Sequence, residues 1–305
     1  MKKIIFGIFI VLGLLFNFSA EREVFAAQQP NNMDEKQYLM DLHKDFYAEN
    51  LTAHILINAE TPMGNLNFDM NVIGKSSEPI VYKVTNKMTF QMLGQTANEV
   101  QVMQYAQQKG NDLEVYTLDN KKWYKQKFKN FKGTSSEKEL MEMQLALIKS
   151  VSIQYETEDS LDAEYIFDFS PIGEFIESSL SEDKDVFKNE ADKKQFISVC
   201  KTVMNQIGEM PYKEHIDKKN KSITTTLDFS DTVRRSADAI MDQFPEMKLR
   251  DRVAVKQFLD ASTIKMNTEI KPMDGNEEIK VPEEVIKTAE EVKLGKVKNK
   301  KRIKR

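Results

Sequence analysis

From Asn65 to Val72 the chain alternates without a break: Leu66, Phe68, Met70 and Val72 on one parity, Asn65, Asn67, Asp69 and Asn71 on the other. A two-residue period sends successive side chains to opposite faces of an extended chain, so this run is a strand with one apolar and one wet face. Such a strand has to belong to a sheet whose other members repeat the asymmetry. They do: Leu51, Ala53, Ile55, Ile57 and Ala59 precede it across the turn Thr61-Pro62-Met63-Gly64, and Ile80, Tyr82, Val84, Met88 and Phe90 follow it. Val100 to Ala106, Leu113 to Leu118 and Trp123 to Phe128 come next, split only by Lys109-Gly110-Asn111-Asp112 and Asp119-Asn120. Connections this short exclude parallel crossovers and dictate an antiparallel meander.

Helical spacing surrounds these strands. Leu39, Leu42 and Phe46 predict a helix over Met33–Ala48; Leu140, Met141, Gln144, Leu145 and Ile148 predict another over Glu137–Lys149. Residues from Pro171 to Ile207 read as helical, with Phe196, Cys200, Val203 and Ile207 as a stripe. Strands are expected at Val151–Tyr155, Tyr165–Phe169, Ile223–Phe229 and Ile264–Ile270. Helices are expected from Ser230 to Phe244, from Arg250 to Leu259 and, opened by Pro282, over 282–294. A one-sided sheet must cover its apolar face, and the amphipathic helices are the available cover. The expected fold is α+β: an antiparallel half-barrel sheet with helices packed in its concave face.

The ends differ from the body. Lys2 and Lys3 precede an apolar stretch from Ile4 to Phe18, and Val24 and Ala26 suit cleavage before Ala27, the pattern of a signal peptide over 1–26. That apolar stretch falls short of the about 20 residues a spanning helix needs. No cysteine follows it, so no lipid anchor is expected. The chain carries a formal net charge of -4, yet from Lys293 to Arg305 there are eight basic residues and no acid. Residues 293–305 read as a basic disordered tail whose Lys296, Lys298, Lys300, Lys301, Arg302, Lys304 and Arg305 suit an anionic membrane or cell-wall polymer. Nucleic acid is not expected, because no aromatic residue interleaves the basic run.

Catalytic chemistry has little to draw on. The single cysteine, Cys200, lies in an apolar stripe, where burial raises a thiol pKa and blunts it. His43, His54 and His215 lack metal-ligand spacing. No nucleophile elbow, phosphate-binding loop or dinucleotide fingerprint occurs. No enzyme, cofactor or metal is expected. The 16 methionines are the more informative feature, with Met63, Met70, Met88, Met92, Met103, Met141 and Met143 on or beside the expected concave face. Candidate residues for an apolar cavity are Leu66, Phe68, Met70, Val72, Met88, Phe90, Leu145 and Ile148, with Trp123 and Tyr124 at its mouth.

The arrangement resembles the lipoprotein-carrier fold, the family of the periplasmic lipoprotein carrier and the mycobacterial lipid-binding lipoproteins. In particular it is similar to extracytoplasmic proteins of Gram-positive-type bacteria that share that fold. The likeness rests on the signal peptide, a helix of the Tyr38–Ala48 type and the alternating strands. It also rests on the hairpin Val115–Gln126, which reads Y-x-x-D-x-x-x-W-Y-K, and on the closing segment Glu278–Glu284. The resemblance implies a single carrier-like domain over 27–292 and an exported, extracytoplasmic binding protein that holds a lipid or other apolar small molecule. The rival expectation is an envelope interaction module whose core is filled and takes no ligand.

Overall fold

The computed structural model describes residues 33–47, 50–75, 79–92, 97–119, 121–128, 147–168, 170, 190–242, 246–273 and 279–292. Its centre is one twelve-stranded open sheet, antiparallel except at one edge. The strands are β1 (Asn50–Thr61), β2 (Gly64–Lys75), β3 (Val81–Met92), β4 (Asn98–Lys109), β5 (Asp112–Asp119) and β6 (Lys122–Phe128), then β7 (Ile148–Glu156), β8 (Ser160–Asp168), β9 (Glu209–Asp217), β10 (Ser222–Asp228), β11 (Thr263–Pro272) and β12 (Glu290–Glu291). Their order across the sheet is β12-β6-β5-β4-β3-β2-β1-β11-β10-β9-β8-β7. Two meanders, β1–β6 and β7–β11, therefore meet where β1 pairs with β11. The described helices are α1 (Met33–Tyr47), α2 (Glu190–Ile207), α3 (Ser230–Asp242), α4 (Leu249–Asp260) and α5 (Glu283–Thr288).

Turn chemistry sets the register. Thr61 faces Gly64 across Pro62-Met63, and Gly64 sits at φ +140°, where a Cβ would lie 1.9 Å from the Gln91 carbonyl oxygen. Only glycine meets both demands. Gly74 serves differently: the Tyr82 ring occupies the space its side chain would take, with Cδ1 2.0 Å from the Cβ position. That close approach lets a large aromatic lie flat across two strands.

Paired residues in an antiparallel ladder share a face. On this basis the inward parity of β2 (Leu66, Phe68, Met70, Val72) continues through Ile55 and Ala53 of β1, Met266 and Ile270 of β11, Leu227 and Ile223 of β10, and Met210 and Ile216 of β9 to Leu161 and Phe167 of β8. This front face carries the main core. Leu39 and Phe46 of α1 join Val151, Leu161, Tyr165, Ile216 and Ile223 in one buried cluster. Ile55, Met70, Leu147, Met210, Leu227 and Met266 form a second, against which Met204 of α2 and Phe229 pack. A third cluster lies on the back face: Tyr105 and Tyr116 with Val281, just before α5, and Val285 of α5, flanked by Met103, Trp123 and Ala289.

Several expectations need correction. Ile148 and Lys149 begin β7 and do not end a helix, because Ile148 pairs with Phe167 and its side chain is buried in the sheet core. Strand β9 was absent from the expected set. The closing helix is shorter than 282–294: it spans Glu283–Thr288, and β12 then pairs parallel with β6. The expected stripe on α2 is not a buried one, since Phe196 is 44% exposed and Cys200 only half-buried. Met103 faces the back, not the front, as the partner of Thr85 and Leu118. The signal peptide, most of the Glu137–Lys149 helix, the start of the Pro171–Ile207 segment and the basic tail lie outside the described residues.

Candidate apolar-ligand face

The candidate cavity residues on β2 and β3 are brought together by register alone. Leu66 faces Phe90, Phe68 faces Met88, and Val72 faces Val84, all on the front face. Val100 of β4 extends the row as the partner of Met88. Burial falls off along this surface. Met70 is 3% exposed, Leu66, Phe68, Val72 and Met88 are half-buried, Phe90 is 38% exposed and Val100 53%. The sheet thus carries a packed front core over β7–β11 that gives way to a half-open apolar patch at one end of β2–β4.

The other candidates do not join that patch. Trp123 and Tyr124 are adjacent in β6 and must face opposite ways. Trp123 lies in the back-face cluster, its ring centroid 5.6 Å from that of Tyr105, whereas Tyr124 pairs with Thr117 on the front parity. The indole is structural cover beneath α5 and not part of a mouth shared with Tyr124. Ile148 belongs to the opposite end of the sheet, on edge strand β7. Leu145 and the seven basic tail residues, Lys296 to Arg305, lie outside the described residues.

Two buried carboxylates were not anticipated. Glu214 points into the front core from β9 with a side chain 2% exposed. His43 Nε2 of α1 lies 2.7 Å from its Oε1, the Tyr165 hydroxyl donates to Oε1 at 2.8 Å, and the Tyr212 hydroxyl donates to Oε2 at 3.3 Å. Satisfied donors make a buried carboxylate tolerable, and here one donor comes from a helix 171 positions away. The hydrogen bond therefore fixes where α1 sits. No spacing in the sequence signals it, because the partners are distant.

Glu114 is the back-face counterpart, on β5. Lys109 and Lys125 pair with it, the Tyr116 hydroxyl donates at 2.8 Å and Gln107 Nε2 donates at 3.1 Å. Burial alone would raise its pKa, but these four donors outweigh burial and pull the carboxyl down to about 2. Burial, and then the bond to Glu114, push the Tyr116 phenol up to about 12. Both groups are locked in one protonation state near neutral pH, which suits a structural clasp better than proton transfer. Burial likewise raises the Cys200 thiol.

Among the described residues no group of three or more His, Cys, Asp or Glu side chains could hold a metal ion. No described helix is long and apolar enough to cross a membrane. No known protein family matches the chain, and no curated protein is detectably similar to it.

Proposed function

We propose that the chain is an exported, non-enzymatic binding protein that holds a lipid or another apolar small molecule at the cell envelope. In this reading the sheet curves into a half-barrel, the helices line its concave side, and the ligand occupies the part of the front face that they leave open. The observation that carries it is the in-register patch of Leu66, Phe68, Met88, Phe90 and Val100, partly exposed beside a close-packed core. Burying each methylene contributes ~0.8 kcal/mol, so an acyl chain of about fourteen carbons gains roughly 11 kcal/mol before the cost of association. Affinity on that scale needs no catalytic chemistry. The basic segment 293–305 adds ~1 kcal/mol for each Lys or Arg near an anionic lipid or wall surface, which would keep the protein at the envelope.

Native mass spectrometry of the purified protein tests the reading. It should show a co-purifying amphiphile, and Phe90→Asp, at an exposed position, should lose that amphiphile while the fold persists. A protein that is reproducibly empty decides for the rival, an interaction module with a filled core. The cluster that α1 completes over β7–β11 already favours that rival for its own part of the sheet.

A further inference from the structure

One transverse row of the front face departs from its apolar surroundings. Reading across the ladders, Val102 faces Asn86, Asn86 faces Met70, Met70 faces Ile55, Ile55 faces Thr268, Thr268 faces Thr225 and Thr225 faces Glu214. Glu214 has its donors. Asn86 does not: it is 5% exposed, and its Oδ1 is buried with no hydrogen-bond partner among the described residues. Its front-face neighbours are Met70, Val84, Met88 and Val102, none of which can donate. A buried amide oxygen left unpaired is costly, and such groups in native proteins call for a partner. Asn86 also lies on the same strand parity as Met88 and Phe90, so the unpaired oxygen adjoins the half-open patch.

Charge narrows what that partner is. By register, every charged residue of β2, β3 and β4 faces the back: Asp69 pairs with Lys87, Lys83 with Tyr105, Glu99 with Thr89 and Lys109 with Asp112. The front face of these strands holds Tyr82, Asn86, Asn98, Gln104 and Gln108 as its polar groups and, among the described residues, no cation. An ionised carboxylate or phosphate there would lie in an apolar surface without a counter-charge, which is strongly unfavourable.

Resting on the apolar-ligand reading above, we propose that the ligand is an uncharged single-chain amphiphile, of the monoacylglycerol or fatty-alcohol class, whose hydroxyl donates to Asn86 Oδ1 while its chain lies over Phe68, Met88 and Phe90. Asn86 selects the headgroup and the methionine and aromatic side chains hold the tail.

Calorimetric titration of the purified protein with monolaurin, methyl laurate and laurate at pH 8 separates the two layers. The three share one acyl chain; only monolaurin carries hydroxyl donors, and only laurate is charged. Monolaurin should bind about tenfold tighter than methyl laurate, and laurate should bind most weakly. Asn86→Leu should reduce the monolaurin preference to about onefold while leaving methyl laurate affinity unchanged, and Asn86→Ala provides the same comparison if the leucine variant does not fold. Equal binding of monolaurin and methyl laurate, tightest binding of laurate, or a preference that survives at position 86 overturns the role of Asn86 while leaving an apolar ligand in place. Failure of all three to bind overturns both readings.

Discussion

Replacing Glu114 by glutamine should remove a definable part of the protein's resistance to acid. The wild-type carboxyl titrates at about 2 in the folded chain, against an ordinary value of 4.5. A folded pKa below the unfolded one means that the folded state holds its proton less tightly, so the stabilisation is complete above about pH 5 and disappears as pH falls through 2. At about 1.36 kcal/mol per pH unit, the difference amounts to about 3 kcal/mol. Lys109 is half exposed, and solvent screening of that arm brings the expectation to about 2–3 kcal/mol. Near pH 7 glutamine keeps the shape but leaves Lys109 and Lys125 facing a neutral acceptor, and the variant should be less stable by that amount.

Urea unfolding at pH 7, 5, 3 and 2 reads both ends of the effect. Trp123 is the only tryptophan and packs in the same back-face cluster, so its fluorescence reports the transition directly. The other carboxylates titrate alike in both proteins and cancel. The stability gap should be widest at pH 7 and close as the pH approaches 2. A gap that stays constant between pH 7 and pH 3 would refute the claim that Glu114 is held ionised by its four donors.

Tyr165→Phe deletes the hydroxyl 2.8 Å from Glu214 and keeps the ring contacts with Tyr212 and Phe167, so urea unfolding should show a loss of about 1.5–3 kcal/mol. Gly74→Ala should cost about 1–3 kcal/mol through overlap with the Tyr82 ring, and adding Tyr82→Leu should recover part of it in the same assay. Thr268→Val removes a buried hydroxyl that has no partner among the described residues and should raise the unfolding free energy by about 1 kcal/mol, read as a higher urea midpoint. Cys200, half-buried and with its thiol raised by burial, should react with an aromatic disulfide reagent at pH 7 more slowly than free cysteine and accelerate on unfolding in urea.

Strands β1–β3 were legible because each has one parity that is nearly all apolar, and β4–β6 because the short turns between them leave no topological freedom. Strand β9 was not, although it also alternates. Its inward parity reads Met210, Tyr212, Glu214, Ile216, and the carboxylate breaks the apolar row at the position where the structure supplies His43 from another element. Pro211 on the other parity weakened the signal further. The same limit hid the end of the chain. Val281 and Val285 look like the apolar side of an ordinary helix, and nothing local says that they cover Tyr105 and Tyr116, some 170 positions earlier.

In β4–β6 the back carries Met103, Tyr105, Tyr116, Leu118 and Trp123 beside the Glu114 clasp, so the wet face of β1–β3 gains an apolar region on the strands that the closing segment covers. The sheet is therefore not one greasy side and one wet side throughout, but two apolar regions displaced toward opposite ends of it. The back region is sealed by the closing segment, and its Trp123 is spent on that seal. On the front, α1 is pinned over β7–β10 by His43, while the apolar parity runs on across β2 and β3 to Phe90 and Val100, which stay exposed. Asn86, unpaired like Thr268 on the same row, sits at the boundary between the sealed and exposed parts. On the proposed reading, that placement gives the open patch a polar group to meet the ligand's headgroup.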